Sequence, residues 1–189
     1  MENAAVRELA TDAELVAVLR AEPAAGIAAL YDRYGRLVYS VALRIVQDHG
    51  AAEEVTQDVF VRCWRTVDRY RPEQGSLGAW LLSIAHNRAI DELRSRRGKE
   101  LRRQRADDAH EQMVLEPGFE AALVRGEVRQ ALGDLPESQR EVIELIFWSG
   151  LTRREIAERL RLPLGTVHTR LRLGMDKLRA TLRRLVEAE

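Results

Sequence analysis

The stretch LTRREIAERLRLPLGTVHTRLRLGMDKLR, residues 151–179, decides the fold. Thr152 stands three residues before Glu155, the spacing of a capping box, in which the threonine oxygen takes the Glu155 amide and the glutamate reaches back to the cap amide. Ile156, Ala157 and Leu160 follow on one helical face. Leu162 and Pro163 end that helix and start another, because proline presets φ for a first turn and has no amide to leave unpaired. Along the second helix Val167, Leu171, Met175, Leu178 and Leu182 keep one apolar stripe inward. At about 100° per residue the other side carries Gly165, Thr166, Thr169, Arg172 and Leu173, flanked by His168 and Arg170. The pattern predicts a helix-turn-helix. A face that mixes donors, acceptors and one apolar group, with a glycine where close approach is needed, fits a DNA major groove. Paired amphipathic helices also occur in proteins that bind no DNA, so charge has to be weighed with the motif.

The chain has 189 residues, 30 Lys and Arg, 30 Asp and Glu, and a formal net charge of zero. That zero is an average over alternating blocks. Residues 1–60 hold 5 basic and 10 acidic side chains, and residues 61–105 hold 12 and 5. Residues 106–149 hold 3 and 10, and residues 150–189 hold 10 and 5. Two basic blocks separated by acidic ones predict two surfaces that face nucleic acid. Scarce aromatics and an excess of Leu, Ala, Arg and Glu favour an all-α protein. No apolar run is long enough for a membrane span, and the polar, acidic start MENAAVRELATDAEL is unlike a signal peptide, so a cytoplasmic protein without direct membrane insertion is expected. Cys63 is the only cysteine, which excludes an internal disulfide and a cysteine-rich zinc site and leaves a small core residue.

Upstream, Thr11 and Glu14 form a second capping box before Leu15, Val18 and Leu19. Pro23 opens a long helix running to about Gln47, with Ile27, Leu30, Tyr31, Tyr34, Val38, Val41, Ala42 and Ile45 inward. A third helix, from Ala51 to about Tyr70, is expected to bury Val55, Val59, Phe60, Cys63, Trp64 and Val67 and to expose Glu53, Glu54, Gln57, Asp58, Arg62 and Arg65. RPEQGS, residues 71–76, interrupts the pattern with Pro72 and Gly75 before Ser76 caps a fourth helix. There Leu77, Trp80, Leu81, Ile84, Ala85 and Leu93 form a buried arc, while Ser83, Asn87, Asp91 and Arg94 line a polar face. Short polar groups in a row imply readout, and the following RSRRGKELRRQR suits a phosphate track. Residues 98–120 lose apolar periodicity and turn from basic to acidic, which reads as a linker. Helix is expected again from about Phe119, with Val124, Val128, Ala131, Leu132 and Leu135 inward and Pro136 closing it. EVIELIFW, 141–148, is apolar almost all round and should be the buried centre of a C-terminal bundle ended by Gly150.

The segments ALYDRYGRLVYSVALRI, AAEEVTQDVFVRCW, GSLGAWLLSIAHNRAIDELRSRR, LGDLPESQREVIEL and GLTRREIAERLRLPLGTVHTRLRLGMDKLR resemble, in that order, extracytoplasmic-function (group 4) sigma factors of bacterial RNA polymerase. The resemblance implies an all-α chain of two small helical domains joined by a flexible linker. Sigma region 2 would span 1–97, the linker 98–120, and sigma region 4, with the helix-turn-helix, 121–189. It assigns core polymerase binding to Glu53, Glu54, Gln57, Asp58, Phe60 and Trp64, an acidic face suited to a basic partner. Recognition and melting of the minus-10 promoter element fall to Ser76, Ser83, Asn87, Arg88, Asp91, Arg94, Arg96 and Arg97, with Asn87 the principal reader of a base held outside the duplex in the 71–76 loop. Minus-35 duplex DNA falls to Thr166, His168, Thr169, Arg170 and Arg172. His168 and Thr169 depart from the long cation and serine of many relatives, which leaves the preferred base at minus-35 open. Core RNA polymerase, promoter DNA and an anti-sigma factor are the implied partners, with no cofactor and no metal. Two other classes stand beside this one. A helix-turn-helix regulator with an N-terminal sensing or dimerisation domain has no use for the second basic block. An enzyme has no support in paired carboxylates, a nucleophile motif or a ligand cluster, and the four histidines are scattered.

Overall fold

The computed structural model of the chain describes residues 11–101 and 127–187, all helix and short connections, and these fall into two compact units, one ending at Glu92 and the other starting at Leu93. In the first unit α1 is Asp12–Ala21, α2 Pro23–Val46 and α3 His49–Thr66, followed by short 3-10 turns at Val67–Arg69 and Pro72–Gln74; α4, Leu77–Leu101, starts in the first unit, and its residues from Leu93 on belong to the second. In the second, α5 is Glu127–Gly133, α6 Glu137–Phe147, α7 Arg153–Leu160 and α8 Leu164–Glu187.

The first unit starts from the Thr11 capping box. The Glu14 amide donates to Thr11 Oγ1 at 3.3 Å, and the Thr11 amide donates to Glu14 Oε2 at 3.1 Å. Leu15, Val16 and Leu19 bury the inner face of α1 against α2. Pro23 occupies the first turn of α2, where its missing amide costs nothing, and α2 ends on Gln47 in the left-handed region, φ 54°. Leu30, Val38, Ile45, Val55, Val59, Cys63, Leu77 and Leu81 fill the core. α3 begins two residues earlier than the sequence indicated because Asp48 caps it, accepting from the Ala51 amide at 2.7 Å. It gives way after Thr66 to a 3-10 turn, so the expected helix to Tyr70 is four residues too long.

Other placements in this part of the chain also differ from expectation. Trp64, expected inside, is 39% exposed, and Tyr31, expected on the buried face of α2, is 54% exposed. Both rings sit at the edge of the apolar stripe, where periodicity does not distinguish core from rim. α4 runs through Gly98 to Leu101, into the stretch read as linker, since a helical glycine costs only about 1 kcal/mol. The rest of that linker, 102–120, and the expected Phe119 and Val124 lie outside the described residues, as do the side chains of Val128 and Leu182.

In the second unit Val142, Ile156 and Val167 form the centre, with Leu145, Ile146, Leu151, Ala157, Leu160, Leu162 and Leu171 packed around them. Leu145 and Ile146 are only partly buried, so α6 is sided rather than buried all round. α8 packs on α5, α6 and α7. Gly174 lies at its close approach to α6, where a Cβ would come within 2.8 Å of Ile143 Cδ1 and 3.2 Å of Gln139 Cβ and would oblige those side chains to shift.

Candidate nucleic-acid interface

Three exposed surfaces carry the candidate side chains. On α3, Glu53, Glu54, Gln57 and Asp58 are exposed on the side opposite Val55, Val59 and Cys63. Phe60 is only 3% exposed and lies beneath Tyr31, ring centroids 5.1 Å apart. The aromatic surface offered there is therefore Tyr31 and Trp64, and Val61, next to Phe60 in sequence, is also exposed. Tyr31 was missed because it reads as one more apolar position of α2. Burial pushes the Cys63 thiol up to about 12, so it stays protonated and is poorly nucleophilic.

The second surface runs from the 67–76 loop along α4. Gly75 adopts φ 145° and ψ 173°, a backbone that other residues rarely reach. Ser76 caps α4 as expected, its Oγ accepting from the Ala79 amide at 3.1 Å. The Tyr70 hydroxyl donates to the Gly75 carbonyl at 3.0 Å, and Tyr70 and Trp80 pack with centroids 5.6 Å apart. Trp80, Ser83 and Asn87 follow on one side of the helix at spacings of three and seven. Trp80 is half-buried and offers part of a π-face; sequence reading had placed it wholly in the core. Ser83 donates its hydroxyl to the Trp80 carbonyl at 2.7 Å, which leaves only oxygen lone pairs for a ligand. The Asn87 amide is partly exposed and takes no hydrogen bond among the described residues. The donor and the acceptor of one amide are thus both open at this position.

The cationic candidates are less free. Burial works against the charged form of Arg88, but hydrogen bonds to Asp58 at 2.9 Å and Glu92 at 3.1 Å outweigh it and raise its pKa. The structure thus joins Asp58, expected on the polymerase face, to Arg88, expected on phosphate, in one brace between α3 and α4. Asp91 and Arg96 are exposed. Arg94 and Arg97 belong to the second unit, where they donate to the carbonyls of Gly150, at 2.8 and 3.1 Å, and Ser149, at 2.7 Å.

The third surface is α7 and α8. The Thr152 capping box is present, with the Thr152 amide 2.7 Å from Glu155 Oε2 and the Glu155 amide 3.2 Å from Thr152 Oγ1. Arg161 takes the left-handed cap position, φ 54°, and the Leu162 amide closes the turn onto the Ala157 carbonyl at 2.9 Å. Val167, Gly174 and Leu178 are buried, and His168, Thr169, Arg172 and Leu173 are exposed together on the other side. Thr166 and Arg170 are half-buried. Thr169 is exposed and donates its hydroxyl to the Gly165 carbonyl at 2.9 Å, which leaves the oxygen lone pairs for a ligand. Arg172 Nη1 lies 3.3 Å from Asp176 Oδ2, and the other carboxylate oxygen is 3.7 Å from Arg179. An exposed pair of this kind is weak, and Arg172 can exchange it for a base edge or phosphate. Leu164, 47% exposed, adds an apolar group at the helix entry that sequence reading had not singled out. Among the described residues no cluster of His, Cys, Asp or Glu is arranged to hold a metal, and no helix is long and apolar enough to cross a membrane.

Comparison with known proteins shows the family of the chain. Residues 30–99 match the family model of sigma-70 region 2, and residues 125–178 match that of sigma-70 region 4. The ECF RNA polymerase sigma factor SigK of Mycobacterium sp. (strain KMS) is 37% identical over 158 residues, 82% of this chain and 82% of that protein. SigK of Mycolicibacterium vanbaalenii is 36% identical over 186 residues, 95% of each. Among solved structures, Rhodobacter sphaeroides SigE in complex with the anti-sigma ChrR is 30% identical and covers 90% of this chain and 97% of that one, with a TM-score of 0.47. Two sigma-70 regions in order, and relatives aligned over most of their length, show that the chain belongs to the extracytoplasmic-function sigma factors of the sigma-70 family, alternative sigma factors that direct transcription initiation.

Proposed function

We propose that this sigma factor divides promoter opening among the three surfaces. The acidic face of α3, Glu53, Glu54, Gln57 and Asp58, with Trp64 and the Tyr31 ring over Phe60, docks on core RNA polymerase. Negative charge beside exposed aromatics suits a basic, partly apolar partner surface. The loop ending at Ser76 and the row Trp80, Ser83, Asn87 capture the displaced minus-10 strand, with Asn87 reading a base edge and Asp91 following it; Arg96 offers a separate phosphate contact from the second unit, where Arg94 and Arg97 reach phosphate only by releasing the Gly150 and Ser149 carbonyls. Arg88 acts first as the brace to Asp58 and reaches phosphate only by releasing it. α8 enters the minus-35 major groove with His168, Thr169, Arg172 and Leu173 toward the bases and Thr166 and Arg170 at the rim. The minus-35 base preference follows from Thr169 presenting a methyl and Arg172 a guanidinium, features that favour thymine and guanine respectively.

The observation that carries this reading is the Asn87 amide on a second surface, without a hydrogen-bond partner among the described residues, since a plain helix-turn-helix regulator needs only α8. Membership of the extracytoplasmic-function sigma factors supports an anti-sigma partner for this chain, and a cytoplasmic location follows from work on polymerase and promoter. The docking assignment is tested by titrating labelled full-length protein with core polymerase. The double change Glu53→Lys, Glu54→Lys should weaken binding at least about tenfold, with a steeper loss at low salt. Equal binding by wild type and the double variant would remove the acidic face from the interface.

A further inference from the structure

α1 precedes the segment matched by the region 2 model, which begins at residue 30, yet it grips the loop before α4 at both ends. At one end Arg20 Nε lies 3.2 Å from Asp68 Oδ1. At the other, Asp12 Oδ2 accepts the backbone amide of Leu77, the first residue of α4, at 2.7 Å, although the two are 65 positions apart. The second oxygen of Asp12 accepts the Tyr34 hydroxyl at 3.3 Å, and Arg33 stands 4.0 Å away. Asp12 is thus fixed from α2 while it caps α4. With Ser76 taking the Ala79 amide, two of the amides left open by the start of α4 are satisfied, one locally and one from across the unit. Between the tethers the loop is held from within, by Tyr70 on the Gly75 carbonyl and by Arg71 on the Asp68 carbonyl at 2.7 Å.

A loop that captures a splayed base selects among bases only as well as its own geometry is fixed, because every state it must abandon on binding weakens the preferred contact. We infer that Asp12 is a positioning residue for minus-10 strand capture: it touches no DNA, and it sets the entry of α4 and the loop that precedes Trp80 and Asn87. This rests on the assignment of that surface to the minus-10 strand.

The test uses full-length protein bound to core polymerase and single-stranded oligonucleotides of the non-template minus-10 sequence carrying each of the four bases at the captured position. Asp12→Ala should lower the preference for the best base over the worst by about tenfold, the span of a lost cap, while core affinity stays within about twofold of wild type, which a general loss of fold would not allow. Asp12→Asn should recover most of the preference, because its oxygen still accepts from Leu77 while its amide donates to the Tyr34 oxygen. Arg20→Ala, at an exposed ion pair that the fold does not need, should lower the preference about twofold in the same direction. Undiminished preference in Asp12→Ala, equal loss in the Ala and Asn variants, or a parallel loss of core affinity would overturn the inference alone. A wild-type complex with no base preference would overturn the minus-10 assignment on which it rests.

Discussion

Gly26→Ala is the most revealing single perturbation of the first unit, because it adds one methyl where two helix backbones meet. A Cβ at position 26 would lie 2.4 Å from Leu19 Cα, 2.7 Å from Leu19 N and 3.0 Å from Leu19 Cβ. Carbon atoms pack best at about 3.5–4.0 Å, so α1 has to retreat by roughly 1 Å. No side-chain rotation relieves the contact, since the obstacle is backbone. The retreat loosens Leu15, Val16 and Leu19, all nearly fully buried. Burying such a side chain stabilises by about 1.5–3 kcal/mol, and losing a third to a half of that at each residue costs about 2–4 kcal/mol. Better helix propensity of alanine returns up to about 1 kcal/mol. The net expectation is a loss of about 1–3 kcal/mol, or roughly 5–20 °C in the melting temperature of a unit of this size. Thermal unfolding followed by circular dichroism and calorimetry measures it. A variant that melts at or above wild type would refute the close α1–α2 approach and, with it, the fixed position of Asp12.

Other outcomes follow from the same geometry. Gly165→Ala meets nothing within 4 Å and gains helix propensity, so it should raise stability by up to about 1 kcal/mol while weakening minus-35 duplex binding; unchanged binding in a mobility-shift assay with holoenzyme would take the start of α8 away from the DNA. Asn87→Ala should lower open-complex formation more than duplex binding, and Arg172→Ala the reverse, each by about tenfold; equal losses in the permanganate and mobility-shift assays would argue against both roles. Cys63 should resist thiol reagents at pH 8 in the folded chain and react freely in urea. Since burial raises its pKa in the folded state from 9.0 to about 12, the stability tied to the neutral thiol is intact below pH 9 and is lost as pH rises from 9 toward 12, a slope that Cys63→Ala should flatten in pH-dependent urea melts.

What the sequence made legible was local. The capping boxes at Thr11 and Thr152 and the turn before Pro163 depend on residues three or four apart, and the structure reproduces them. The helix-turn-helix face was legible for the same reason, because one helix fixes which of its residues point together. Side chains at the edge of a stripe were not. Tyr31 and Trp64 count as core by periodicity, but both lie at the rim of the apolar stripe and stay exposed. Contacts across the unit were not legible either. Asp12 reads as a first-turn carboxylate of α1, and only the fold carries it to the Leu77 amide; Arg88 reads as a phosphate ligand until Asp58, thirty residues earlier, is set against it. His86 is similarly hidden, a buried polar side chain inside an otherwise apolar arc of α4.

The central claim is that this chain gives core polymerase its choice of promoter. The most direct measurement is run-off transcription with core RNA polymerase, with and without the protein, on templates carrying candidate minus-35 and minus-10 elements. The account predicts a discrete transcript that requires the protein, starts a fixed distance downstream of the minus-10 element and disappears when either element is scrambled. Transcription unchanged by the protein, together with no detectable binding to core polymerase, would contradict it.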